Sequence, residues 1–143
     1  EVLPRGGTAE LLAATSRGAA FGDVDNDGGM DLLVVNRDAR AHLLHNRAPN
    51  RGNWIMFEVV TRVGSPAEGA RVTAGVGSIR KMREVRSAYS YLAANDPRVH
   101  FGLGGETAVL GVVVRWPDGS NEDFGDFAAN QITRLAPGSG RRP

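Results

Sequence analysis

Apolar residues in this chain rarely recur at helical spacing. Short runs rich in Val, Ile, Leu and aromatic side chains are instead broken every few positions by Gly, Pro, Asn or Asp, the pattern of strands separated by turns. Nine runs read as strands: 17–22, 31–36, 41–46, 54–61, 70–76, 78–87, 99–104, 111–116 and 131–136. That number predicts an all-β protein built on an antiparallel β-sandwich-like domain of two packed sheets. In the run ending at Trp116, Val112, Val114 and Trp116 share one face, which assigns the indole to the core. Pro117-Asp118-Gly119 then supplies a preset φ, a side-chain acceptor and a residue tolerant of positive φ for a hairpin turn. Residues 46–53, where Pro and Gly sit among polar residues without periodicity, mark a boundary between a short N-terminal segment, 1–47, and a β domain, 48–137. The glycine-rich end, 138–143, reads as a flexible tail.

Composition narrows the function classes. The 143 residues (15.2 kDa) suffice for a real core, and 17 Lys+Arg against 16 Asp+Glu leave a net charge of +1, so nucleic acid is a poor partner. The absence of cysteine excludes disulfides, thiolate metal sites and cysteine nucleophiles. No apolar run has the length to insert across a bilayer, and residues 1–10 lack the regions of a signal peptide. A chain beginning at Glu1 rather than Met reads as processed or as a piece of a longer one, with any export signal upstream.

The strongest chemical signal is the stretch FGDVDNDGGMD, residues 21–31. Asp23, Asp25, Asp27 and Asp31 occupy positions 1, 3, 5 and 9 of a loop, with Gly28 at position 6, where a sharp turn needs positive φ. Carboxylates so close together repel unless a cation joins them. Dense hard oxygen ligands suit Ca2+, with the carbonyl of Gly29 as a fifth ligand; Mg2+ fits less well because it demands octahedral geometry and keeps its waters. An EF-hand is excluded, since position 12 is Val34 and the flanks are strands rather than helices. The alternative is an acidic hairpin turn without metal.

RGAAFGDVDNDGGMDLLVVN, residues 17–36, resembles an FG-GAP or VCBS-type repeat, the calcium-loop blade motif of integrin-like β-propellers. Residues 69–135, with GARVTA, REVRSAYSYLAANDPRVHFGLG and VVVRWPDG, resemble the ASPIC/UnbV domain that follows such repeats in bacterial exported proteins. The resemblance implies a propeller-blade-like calcium-loop hairpin at the N-terminus, with Asp23, Asp25, Asp27, Gly29 through its carbonyl, and Asp31 as metal ligands. It implies a secreted, periplasmic or cell-surface location and no established catalytic activity. A single loop without internal repeats cannot close a propeller, so the hairpin is expected to pack on the sandwich or on a partner copy, which keeps a homodimer open.

Other constellations read more plainly. His42 and His45 lie three apart, on opposite faces of a strand, and so do not share an ion; His100 is distant in sequence. Arg80, Lys81, Arg83 and Arg86 read as an edge-protecting strand, with Arg83 and Arg86 candidates for an acidic ligand. Tyr89 and Tyr91 share a face beside a loop and are candidates for a binding surface. No nucleophile elbow, dinucleotide loop, P-loop or zinc-protease motif occurs. The expectation is a non-enzymatic, calcium-stabilised binding module for an unknown extracellular protein or glycan. The rivals are a carbohydrate-binding or glycan-processing protein and the terminal segment of a larger propeller.

Overall fold

The computed structural model describes residues 13–142, which form ten strands and no helix long and apolar enough to cross a membrane. The chain divides into two compact units: Glu1–Arg51 with Ala88–Asp96, and Gly52–Ser87 with Pro97–Pro143. The division thus falls within the polar stretch 46–53, four residues beyond the expected end of the N-terminal segment. It also assigns to the first unit nine residues that the sequence reading placed in the β domain. The first 12 residues of the expected segment 1–47, and Pro143, lie outside the described residues.

In the first unit, β1 (Ser16–Gly22), β2 (Asp31–Asn36) and β3 (His42–Leu44) form an antiparallel sheet in that order. The hairpin between β1 and β2 opens at the pair Gly22 and Asp31, so the acidic loop hangs from a paired strand end. Residues 88–96 run beside β1: Asp96 donates its N–H to the Phe21 carbonyl at 2.8 Å, and the Phe21 N–H reaches the Asn95 side-chain oxygen at 2.8 Å. Those bonds satisfy backbone groups that an open strand edge would leave to solvent.

The second unit holds a three-stranded and a four-stranded sheet. The first has the order β10 (Gln131–Leu135), β4 (Asn53–Val59), β7 (Val99–Gly104); the second is β6 (Ile79–Glu84), β5 (Arg71–Val76), β8 (Ala108–Arg115), β9 (Asn121–Ala128). Alternate residues from these strands build the core: Ile55, Phe57 and Val59 from β4, Val72 and Ala74 from β5, Phe101 from β7, Val112 and Val114 from β8, and Leu135 from β10. The Phe57 ring meets Phe101 and Phe127 edge-on, with centroids 6.0 and 5.3 Å apart. Trp116 is buried in this core, as its alternation with Val112 and Val114 predicts.

Three features differ from the sequence expectation. β9 carries no strand pattern in the sequence, because it mixes Asn, Glu and Asp with Gly125, and its inward residues change parity between Phe124 and Phe127. The register shift between β8 and β9, with Gly111 and Gly125 at positive φ, absorbs that change and lets Val109 reach the core beside Val112. Second, β10 pairs with β4 in parallel, which departs from a purely antiparallel sandwich. Third, residues 138–142, expected to trail as a flexible tail, are tied down. The buried Glu122 carboxylate accepts the Gly138 N–H at 2.8 and 2.9 Å, and Arg141 exchanges two backbone bonds with Asp123, at 2.8 and 2.7 Å.

Candidate metal centre

The loop between β1 and β2 folds around its own carboxylates. Asp23 is buried; its Oδ1 accepts the Asp27 N–H at 3.1 Å and its Oδ2 the Gly28 N–H at 2.8 Å. These bonds turn the chain back within five residues, and Asn26 (φ 59°) and Gly28 (φ 84°) supply the left-handed conformations that such a turn requires. Asp27 Oδ1 accepts the Gly29 N–H at 2.7 Å. Asp25 projects into solvent between the two.

One carboxylate oxygen from each of Asp23, Asp25 and Asp27 can be chosen so that all three lie within 4.8 Å of one another. Oxygens that share one Ca2+ at about 2.4 Å stand no more than about 4.8 Å apart. The three aspartates meet that spacing and could hold a metal ion.

Asp31 has a different place. It is buried, and its oxygens are used by backbone donors, the Val24 N–H at 3.0 Å and the Asn46 N–H at 2.7 Å. It clamps the start of the loop to the chain leaving β3. Two further residues stand at the loop that sequence reasoning had not assigned to it. His45 lies just beyond the pair Leu32 and Leu44, so the register sets it opposite Asp31; its Nδ1 is 3.7 Å from Asp31 Oδ1 and 4.0 Å from Asp25 Oδ2. That placement follows from strand pairing and is invisible in the spacing of His42 and His45. Arg51, 24 residues from Asp27, grips its carboxylate with both terminal nitrogens, at 2.9 and 2.7 Å. Those hydrogen bonds, followed by the Gly29 N–H, hold the Asp27 carboxyl below its ordinary value of 3.8, and the same pair raises the Arg51 guanidinium.

The other candidate residues are dispersed. Tyr89 and Tyr91 are exposed on the 88–96 segment of the first unit, whereas Arg83 and Arg86 belong to the second. In the edge strand β6, Arg80 bonds the Gly111 carbonyl at 3.0 Å, Lys81 the Gly102 carbonyl at 2.9 Å and Arg83 the Met82 carbonyl at 3.3 Å, so each basic residue of the strand makes a local bond. His100 stacks on Trp54, with centroids 6.3 Å apart.

Comparison with known proteins bears on the second unit most directly. The family model "ASPIC and UnbV" matches residues 61–142, and the aspartate loop lies before that span. The chain is similar to cartilage acidic protein 1 of Mus musculus and of Homo sapiens, each 35% identical over 106 residues, and to that of Xenopus tropicalis at 33%. The matched stretch covers 71% of this chain and only 16% of each relative. With 82 of its 143 residues matched by the family model (61 to 142 inclusive), the chain belongs to the ASPIC and UnbV family.

Proposed function

We propose that the chain is a non-enzymatic binding module that works outside the cell, in which Ca2+ staples an FG-GAP/VCBS-type segment, residues 1–47. The observation that carries this reading is the convergence of Asp23, Asp25 and Asp27 oxygens in a loop whose backbone donors already hold two of the three carboxylates. The relatives' name points to cartilage, a tissue made largely of extracellular matrix, and extracellular calcium is abundant enough to fill a weak site. A site with Kd of about 10⁻⁴ M gains about 1.4 kcal/mol at about 1 mM calcium and stays nearly empty at cytosolic levels.

The test is thermal unfolding of chelator-treated protein against added calcium, with magnesium and the Asp25→Ala/Asp27→Ala double variant as controls. A calcium-specific rise in Tm that the double variant lacks supports the staple. No rise in the wild type would leave an acidic turn without metal.

A second reading concerns the partner. The segment carrying Tyr89 and Tyr91 also presents Leu92, which is 87% exposed at φ 47°, an uncommon conformation for a bulky side chain and one that concentrates at binding sites. This surface suits an unknown extracellular protein or a glycan whose ring stacks on tyrosine. Glycan-array binding lost in Tyr91→Ala and kept in Asp25→Ala would favour the glycan; a blank array with the wild type would favour a protein.

A further inference from the structure

The acidic loop contains two adjacent glycines with different physical tasks. Gly28 has φ 84° and serves the turn. Gly29 is not in the left-handed region, so its backbone conformation is open to other residues. What a side chain there would meet is the Arg51 guanidinium and, at 2.9 Å, Asp27 Oδ1, so these two side chains would have to shift to admit it. The loop thus lacks a side chain at the place where the guanidinium crosses it. From there Arg51 bonds both oxygens of Asp27, at 2.9 and 2.7 Å, and its Nη1 also donates to the Asn46 carbonyl at 2.8 Å. Asn46 is the residue whose N–H is clamped by Asp31. One arginine therefore joins the metal-binding half of the loop to the strand exit that the other half already holds.

We infer that Arg51 is the resident counter-cation of the calcium loop: it holds Asp27 in place when no metal is bound, and an incoming Ca2+ competes with it for that carboxylate. The inference rests on the calcium reading above. A guanidinium suits this task because its flat fork matches a carboxylate with two parallel bonds, where a lysine brings one point charge. Its cost is electrostatic, since a fixed positive charge beside the site opposes a second cation. The loop gains a defined shape without metal and binds calcium more weakly than its three aspartates would alone.

The experiment is calcium titration of the purified chain by calorimetry, with thermal unfolding in chelator, for the wild type, Arg51→Gln, Arg51→Lys and Gly29→Ala. In Arg51→Gln calcium affinity is expected to rise on the order of 5-fold at physiological salt, while the metal-free Tm falls by a few degrees. Arg51→Lys keeps the charge and loses the fork, so its affinity stays within about 2-fold of wild type and its metal-free Tm falls. Gly29→Ala crowds both the guanidinium and Asp27 Oδ1, so its metal-free Tm is expected to fall as in Arg51→Gln.

Calcium binding by the wild type that is unchanged or weakened in Arg51→Gln overturns the counter-cation and leaves the calcium site standing. Silence in both proteins overturns the calcium reading and this inference with it. A silent wild type beside an Arg51→Gln variant that binds calcium supports the inference in its strongest form.

Discussion

The two units are stabilised by opposite means. Every buried hydrophobic side chain among the described residues belongs to the second unit, from Ile55 to Leu135. In the first unit the buried side chains are polar: Asp23, Asp31, Asn36 and Asn95. Of its large apolar residues, Phe21, Leu33, Val35 and Leu43 are exposed, and Leu32, Val34 and Leu44 are only half-buried. Each of these four side chains has a partner, among them Asn36 Oδ1 to the Ser16 hydroxyl at 2.8 Å and Asn36 Nδ2 to the Arg40 carbonyl at 2.7 Å. A sandwich that buries apolar area is stabilised by a term that is tolerant of exact geometry. A three-stranded sheet closed by polar bonds depends on each bond being made, because an orphaned buried donor costs more than a satisfied one contributes. The second unit rests on its apolar core, and the first on bonds among polar groups.

Three changes would break or sharpen this contrast. The largest effect is expected from Phe57→Ala, which empties a fully buried site between two aromatic rings and should cost about 3–5 kcal/mol in urea unfolding. A loss below about 1 kcal/mol would show that the sandwich core is not the main source of stability. Next comes Asp31→Ala, which removes the acceptor of the Val24 and Asn46 N–H groups and should cost about 2 kcal/mol. Hydrogen exchange would locate that loss: faster exchange confined to residues 13–51 and 88–96 supports independent polar closure, and uniform acceleration counts against it.

The smallest effect is the pH dependence of the Asp27 and Arg51 pair. The folded-state value of Asp27 lies below 3.8, first through the Arg51 bonds and then through Gly29. Its contribution is therefore fully present above the ordinary carboxylate value and is lost as pH falls through the lowered one. The Tm difference between wild type and Arg51→Gln in chelator should hold at neutral pH and close in acid below about 3.8. A difference that widens on acidification would contradict the assignment.

Much of the sandwich was legible because local pattern and burial coincide. The run at 99–104 appears as a strand with the same bounds, as does 31–36 in the first unit, and the Val112, Val114, Trp116 face is the buried one. Pattern failed where parity breaks, as in β9, and where polar residues do the burying, as with Glu122. Of the site, the convergence of Asp23, Asp25 and Asp27 was readable, since a tight loop must bring alternate side chains together. Arg51 and His45 were not, because nothing in their own neighbourhoods marks them.

By itself, then, the sequence determined the all-β class, the positions of most turns and a loop crowded with carboxylates, all properties of residues within a few positions of one another. Tertiary structure alone decided that residues 88–96 join β1, that β10 runs parallel to β4, that Asp31 clamps backbone, and that an arginine 24 residues away lies over a glycine to meet Asp27. The physical reason is that periodicity reports which face of a strand is apolar. Pairing between distant segments depends on closing long stretches of chain, and no local pattern records that.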